Sequence, residues 1–146
     1  MEQTLIVTDV NAEDVDKLWE MVKGNLEHAL EYSRGEYTIE DIYWLLLSGD
    51  MRLWIAYDAA GKLQTSAVCE MRSYPQKVIC YIVLSGGGSF ANWKYAVDMI
   101  EDWAIENGAD AVCAYTRPAI AKGLREHGYA SAYTVIHKDL KERRLH

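Results

Sequence analysis

The sequence lacks a long apolar run and an excess of positive charge. No stretch of 18 apolar residues occurs, and the first ten residues carry neither a basic region nor a long apolar core. We therefore expect a cytoplasmic protein that is neither exported nor embedded in a membrane. Lys and Arg total 15 against 22 Asp and Glu, giving a formal net charge of -7. This balance argues against general affinity for nucleic acid or anionic membranes.

Cysteine and histidine are also too few or too scattered to build a metal site. Cys69, Cys80 and Cys113 are odd in number, lie within apolar runs and show no metal-ligand spacing, so reduced core thiols are expected. The four histidines are widely separated along the chain. No metal is expected. Repeats, linkers and low-complexity tracts are absent, and 146 residues of which half are apolar predict a single domain over residues 1-146.

The most informative stretch is an apolar run, three consecutive glycines, an amphipathic helix and a second apolar run. The helix is predicted from Trp93 to Asn107, because apolar residues recur there every three or four positions. Ser89 or Asn92 can cap its start, and Gly108 is suited to end it. A buried strand, a Gly-rich turn and a helix start leave free backbone N–H groups that favour an anion such as phosphate. A flexible turn without a ligand is the alternative.

The whole chain predicts the order β-α-α-β-β-β-α-β-α-β, an α/β (α+β) domain with a mixed, mostly antiparallel sheet and helices on both faces. Before the glycines we expect a strand over Thr4 to Val10, a helix at about residues 12 to 31, a second helix capped by Thr38 and Asp41, and a three-strand meander. After the long helix we expect a strand over Ala109 to Tyr115, a short helix over Pro118 to His127, and a final strand over Tyr129 to Leu140.

This order, the glycine turn before a long helix and the pair Gly128-Tyr129 after the short helix resemble the GNAT acetyltransferase superfamily over nearly the full length. Arg117-Pro118, Gly128-Tyr129 and Lys138-Asp139-Leu140 further resemble short GNAT-like proteins of tailed phages and prophages. The resemblance implies a GNAT-like fold that uses acetyl-CoA. The acetyl group would pass directly to a small-molecule or peptide amine, without a covalent enzyme intermediate.

The resemblance also implies where the cofactor would bind. The pantetheine arm would lie between the fourth strand, Val78 to Leu84, and the fifth, and the pyrophosphate would bind the loop from Ser85 to Asn92. The implied cofactor-binding residues are Val83, Leu84, Ser85, Gly86, Gly87, Gly88, Ser89, Phe90, Ala91, Asn92 and Arg117. Acyl transfer needs a polarised carbonyl, a deprotonated amine and a protonated thiolate. Backbone groups of the fourth strand would supply the first of these.

Two side chains are candidates for the proton transfers. Glu70 in the third strand is suited to act through water as a general base, with a salt-bridged or solvated strand glutamate as the alternative. Tyr115 lies at the carboxyl end of a strand, where open sheets commonly place functional groups, or it is a half-buried tyrosine with a bonded hydroxyl. The general acid that the resemblance implies would be Tyr115, Tyr129 or Tyr133. Arg117 is suited to clamp a phosphate, or it pairs with a neighbouring acid.

The sequence departs from the family pattern at two places. The loop SGGGSFA lacks the usual Arg or Gln, and Leu124 occupies the position of the family's common tyrosine. These departures favour an alternative, a non-catalytic GNAT-fold accessory or structural protein of a phage or prophage. A third hypothesis is a partner-binding module that uses an open sheet edge, with a homodimer as one form. Glu31, Glu36, Glu40 and Asp41 near the first helices would suit a cationic acceptor, or they form an ordinary solvated face.

Overall fold

The computed structural model of the chain describes residues 5–87 and 94–144, apart from the side chain of Glu142. The order of elements agrees with the sequence prediction from the first strand to the short helix after the fifth strand. The elements are β1 (Ile6–Val10), α1 (Ala12–Leu30), α2 (Ile39–Ser48), β2 (Arg52–Tyr57), β3 (Leu63–Ser73), β4 (Val78–Gly86), α3 (Lys94–Glu106), β5 (Ala111–Ala114), α4 (Pro118–Glu126) and α5 (Lys141–Arg144).

The strands form one five-stranded sheet in the order β1-β2-β3-β4-β5. The first four strands pair antiparallel, and only β4 and β5 are parallel. The hairpin between β2 and β3 is closed by Asp58, whose carboxylate accepts the N–H groups of Ala60 and Lys62 at 2.9 Å each. The predicted meander and the mixed sheet are therefore confirmed.

Helices cover both faces of the sheet, because neighbouring strand residues point to opposite sides. Leu53 and Ile55 pack into a core with α1 and α2, which contribute Leu26 and Ile42. Trp54, between them in sequence, packs instead into a second core with α3 and α4. The sheet is thus buried from both sides, as predicted.

The start of α2 follows the predicted capping signature. The Thr38 hydroxyl accepts the Asp41 N–H at 3.2 Å, and the Asp41 carboxylate accepts the Thr38 N–H at 2.8 Å. Two of the N–H groups that a helix start leaves unpaired are thereby satisfied. Gly49 ends the helix with φ of 83°.

The three cysteines are free, as expected, and Cys69 and Cys80 are buried. Burial raises the pKa of the Cys69 thiol, so this thiol stays protonated and poorly reactive. No helix within residues 5–87 and 94–144 is long and apolar enough to cross a bilayer.

The predicted final strand is wrong. Residues 129–140 form no strand, and the short α5 follows them. A strand needs a neighbour for its backbone hydrogen bonds, and β5, at the end of the sheet, pairs with β4 alone among the described residues. β-prone residues alone therefore did not produce a strand. β5 is also shorter than predicted, because its pairing with β4 covers only four positions.

Candidate functional site

β4 and β5 run side by side for four residues and then part. Their pairing begins at Ile79 with Ala111 and ends at Ile82 with Ala114. β4 continues to Gly86 and stays paired with β3, whereas β5 ends at Ala114. A cleft therefore opens between Ile82 and the residues that lead from β5 into α4.

A β-bulge lies on β4 at the same place. Val68 of β3 pairs with Leu84 and the next residue, Cys69, pairs with Ile82, so Val83 is an extra residue with no counterpart on β3. A bulge leaves its extra residue outside the ladder and free to bond elsewhere. The sequence-predicted residues Val83 and Leu84 are thus at the parting strands, although the Leu84 side chain is buried in the core beneath α1.

The cleft is apolar and narrow. Its free volume is about 10 Å³, the space of about one water molecule. Leu124 is one of its walls and is 6% exposed, so this position offers no hydroxyl to the cleft. The lining residues come from β4, α3, β5, the link after β5, and α4: Ile82, Ser85, Val97, Ala114, Thr116, Ile120 and Leu124.

The first two glycines of the loop have a packing role. A Cβ on Gly86 would lie 2.4 Å from the backbone oxygen of Asn25 in α1, and a Cβ on Gly87 would lie 2.7 Å from the backbone oxygen of Gln64. Gly87 also has φ of 84°, which an L side chain rarely adopts. The buried Thr65 hydroxyl donates to the Gly86 carbonyl at 2.8 Å. These glycines allow α1 and β3 to approach the end of β4.

The remainder of the predicted phosphate loop lies outside the described residues. This applies to Gly88, Ser89, Phe90, Ala91 and Asn92, including both candidate caps of α3. Phosphate binding by this loop remains a prediction.

Arg72 connects the two predicted catalytic residues. Its guanidinium donates to the Glu70 carboxylate, and it lies 5.9 Å from the centre of the Tyr115 ring. Tyr81 lies between, with its ring 4.3 Å from the Arg72 guanidinium and stacked on Tyr115 at 5.4 Å. For Glu70, the alternative to a general base is a salt-bridged or solvated strand glutamate. The salt bridge is present, with Arg72 as the partner. We call Glu70, Arg72, Tyr81 and Tyr115 the Arg72 cluster.

The Arg72 cluster lies on the α1 and α2 side of the sheet. The strand neighbours of its residues, such as Cys69, Cys80 and Ile82, pack into the opposite core with α3 and α4. The Glu70 side chain is 17% exposed and that of Arg72 is 34% exposed. Glu70 pairs with Tyr81 in the β3-β4 ladder, two positions from the bulge. The carboxylate is thus half-enclosed beside the parting strands.

Electrostatics fix the charge of Arg72 and keep two tyrosines near it, Tyr81 and Tyr37, protonated. Partial burial lowers the pKa of Arg72, but the hydrogen bond and the negative charge of Glu70 outweigh that effect, so the net shift is upward. The hydrogen bond that the Tyr81 hydroxyl shares with the Tyr74 hydroxyl at 3.2 Å, and then burial, raise the pKa of Tyr81. Burial, followed by the negative charge of Glu70, raises the pKa of Tyr37. Arg72 is therefore a fixed cation and both tyrosines keep their protons at neutral pH.

Arg117 lies at the start of α4, where it is the residue before Pro118. Its guanidinium is 4.3 Å from the centre of the Tyr32 ring, beyond the end of α1. A cation over an aromatic face gains about 0.5–1 kcal/mol at an exposed site. The described contact of Arg117 is thus with an aromatic ring, and a role in phosphate binding stays a prediction.

Within the described residues, one group of side chains has the spacing for a metal ion. Asp98, Glu101 and His127 offer ligand atoms within 4.8 Å of one another. These atoms also bond inside the protein, since His127 Nε2 lies 2.8 Å from Asp98 and the Tyr129 hydroxyl donates to Glu101 at 2.8 Å. The contacts join α3 to the end of α4. The expected lack of a metal remains a prediction.

Two comparisons with known proteins gave no match and one gave many. No protein-family model matches the sequence, and no curated protein matches it. Among solved structures, the aminoglycoside N-acetyltransferase AAC(6')-Iy in complex with CoA has a TM-score of 0.69 at 13% identity, covering 97% of each chain. The chain has the GNAT fold.

Two further structures with this fold are similar to the chain. The aminoglycoside acetyltransferase meta-AAC0020 from an uncultured soil metagenomic sample, in complex with sisomicin, has a TM-score of 0.66 at 16% identity, covering 92% of this chain and 94% of the other. A protein described as a predicted acetyltransferase, with acetyl-CoA, from Clostridium acetobutylicum has a TM-score of 0.68 at 12% identity, covering 95% of this chain and 98% of the other. The GNAT fold is thus matched over almost the whole chain.

Sequence reasoning missed the residues that organise the site around Glu70. Arg72 and Tyr81 were not identified, although Arg72 is two residues from Glu70 and therefore on the same face of β3. Tyr81 is opposite Glu70 only through the register of β3 with β4. The alternation of β3 could have revealed the arginine, whereas the tyrosine required the pairing.

Proposed function

We propose that this GNAT-fold chain is an N-acyltransferase that uses acetyl-CoA as cosubstrate and an amine as acceptor. The observation that carries the proposal is the parting of β4 and β5 at the bulge of Val83. At this point β4 carries a residue without a counterpart on β3, and next to it lies an apolar cleft lined by Ile82 and Ser85 of β4, which fits a thin, mostly apolar pantetheine arm. The fit requires the cleft to widen, because its side chains now leave about 10 Å³.

When bound, acetyl-CoA would supply a thioester whose acetyl group passes to the amine as the thiolate leaves. The backbone of Val83 and Leu84 would polarise the thioester carbonyl, because a bulge leaves a peptide group free of the ladder. Ser85, on the wall of the cleft, would contact the cosubstrate, with Gly86 and Gly87 shaping the turn after it. Arg117 and the loop over residues 88–92 would bind the phosphates.

Glu70 and Tyr115 would carry the protons. Glu70 would accept the proton of the attacking amine through water, with Arg72 holding the carboxylate in place. Tyr115 would donate a proton to the thiolate, because it directly follows Ala114, where β5 parts from β4. It is 54% exposed and therefore accessible to a ligand.

The acceptor is proposed to be a cationic small-molecule amine. The net charge of -7 favours a positively charged acceptor. One structure of the same fold, the soil aminoglycoside acetyltransferase, was solved with sisomicin. That ligand belongs to the neighbour, and it supports an amine acceptor here only by analogy of fold.

Calorimetric titration with acetyl-CoA tests the proposal. Ser85→Phe would fill the cleft, so we expect affinity to fall at least about tenfold, equivalent to about 1.4 kcal/mol. Ser73→Phe is the matched control, because Ser73 is at the other end of the β3-β4 pair and is exposed. The affinity of the Ser73→Phe variant for acetyl-CoA should equal that of the unmodified protein. No heat from the unmodified protein at about 1 mM ligand would refute acetyl-CoA use.

A second candidate is a non-catalytic protein that has kept only the fold. The buried Leu124 and the nearly closed cleft favour it, because they remove a proton donor and restrict entry. An accessory role in a phage or prophage is the specific form of this hypothesis. Absence of acetyl-CoA binding together with a normal fold would support it over the first candidate.

A further inference from the structure

The segment after α4 is unusually exposed for its composition. Each residue from Ala130 to Leu140 is exposed, and three large apolar side chains lie almost fully in solvent. Tyr133 is 94% exposed, Ile136 91% and Val135 71%. Tyr133 to Ile136 are all aromatic or β-branched residues, the types most enriched in strands. Such a run is typical of a strand that has a neighbour.

The backbone of this segment has no partner among the described residues. At its start the Tyr129 N–H bonds to the Leu124 carbonyl, and at its end the Arg144 N–H bonds to the Leu140 carbonyl. Between residues 130 and 138 no backbone hydrogen bond to another described residue is formed. The segment therefore offers an unpaired strand-like backbone as well as unburied apolar side chains.

A second unpaired feature lies in the same chain, at the outer edge of β5. This strand ends the sheet order and bonds only to β4 among the described residues. An open edge presents a row of N–H and C=O groups that readily pair with another strand. The chain thus contains both an unpaired strand-prone segment and an unpaired edge, which together form a complementary pair.

We propose that residues 130–138 add as a strand to the β5 edge of a second copy, and that the two chains exchange these segments reciprocally. The exposure of Tyr133 and Ile136 shows that the segment extends away from its own domain, where another molecule can bind it. Reciprocal exchange is an isologous, two-fold contact, and it covers both edges. Assembly then stops at a dimer. The inference does not depend on acyl transfer.

The exchange would place the partner beside the candidate site. The β5 edge leads directly into Tyr115 and then Arg117 at the start of α4. A segment of the partner subunit along that edge would therefore form a wall next to the open side of the Arg72 cluster.

Light scattering after size exclusion, repeated over a range of protein concentrations, tests the proposal. We expect the full chain to be a dimer and at least one of Thr134→Pro and Val135→Pro to be a monomer, because successive N–H groups of a strand point to opposite sides and proline removes the one that bonds to the edge. Thr134→Val is the matched control, since it keeps the N–H and the strand propensity, and it should remain a dimer. Thr134 forms no bond within the described chain, so the proline variant should keep its circular dichroism spectrum and melting temperature.

Two results would overturn the exchange. A monomeric full chain at up to about 100 µM would show that the segment does not bind a second copy. A dimer that persists unchanged in both Thr134→Pro and Val135→Pro, whose N–H groups point to opposite sides of a strand, would show that the copies associate through another surface.

Disulfide trapping identifies the edge that receives the segment. Cys113 of β5 is free and half-buried, so Tyr133→Cys and Val135→Cys would each offer it a partner thiol. A covalent dimer after oxidation, absent when Cys113→Ala is added, is the expected result. A link within one chain would place the segment on its own β5, and no link at either position in a persistent dimer would exclude this edge. Either outcome contradicts the proposal.

Discussion

Replacing Gly86 by alanine tests how the end of β4 is built. The new methyl group would lie 2.4 Å from the Asn25 backbone oxygen and 2.9 Å from its carbonyl carbon. The first distance is about 1 Å inside the ordinary contact distance of 3.4 Å. The obstacle is helix backbone, so α1 must shift rather than a side chain rotate. Overpacking of this kind costs about 1–3 kcal/mol, and we expect the upper end of that range.

Gly24→Ala is the matched control, because it makes the same chemical change within α1, at the residue before Asn25. A Cβ at Gly24 meets nothing within 4 Å. Alanine in a helix interior is more favourable than glycine by about 0.5–1 kcal/mol, so this variant should gain stability. The two substitutions are therefore expected to act in opposite directions.

Urea denaturation followed by circular dichroism measures both effects. With a slope of about 2 kcal/mol per molar urea, Gly86→Ala should lower the midpoint by about 1 M or more, and Gly24→Ala should raise it by about 0.3–0.5 M. A Gly86→Ala midpoint equal to that of the unmodified protein would refute the close approach of α1 to β4. Because the residue is also a candidate for cofactor binding, activity of this variant is interpretable only after its stability is known.

Other substitutions address the helix cap, a buried tyrosine and the proton-transfer residues. Thr38→Ala should destabilise by about 1 kcal/mol in urea denaturation, whereas Thr38→Ser should retain most of the cap. Burial and the hydrogen bond to Glu101 raise the pKa of Tyr129, so its stabilising effect is present below pH 10 and falls at higher pH as the unfolded tyrosine ionises. The stability difference between the unmodified protein and Tyr129→Phe should shrink above pH 10, and a constant difference would contradict this. Glu70→Gln and Tyr115→Phe should each lower acetyl transfer to a responsive amine by about 10²–10⁴-fold with acetyl-CoA affinity retained, and unchanged rates of thiol release would remove these residues from the mechanism.

Local signals in the sequence account for the elements that formed as predicted. The Thr38 and Asp41 spacing predicted a capping box that the structure contains, and Gly108 has the left-handed φ of 83° expected of a helix stop. Such features depend on residues within one turn of each other. Sequence reasoning therefore located them without knowledge of the tertiary contacts.

Long-range contacts account for the features that sequence reasoning missed or misplaced. Tyr133 to Ile136 have strand propensity, but propensity does not supply a neighbouring strand, and the predicted strand is absent from the described chain. The triple glycine suggested a phosphate seat, yet two of its members are required by Asn25 and Gln64, which are distant in sequence. Amino-acid composition does not indicate which backbone segments come this close to each other in the folded chain.

The amino-acid sequence by itself determined the order of helices and strands as far as α4, because hydrophobic period, caps and turn residues act over a few positions. Tertiary structure alone decided that β4 bulges at Val83 and that β5 leaves it after Ala114, since both follow from strand register. It also brought Arg72 between Glu70 and Tyr115. Register is set by the packing of whole faces against two cores, which no local pattern encodes.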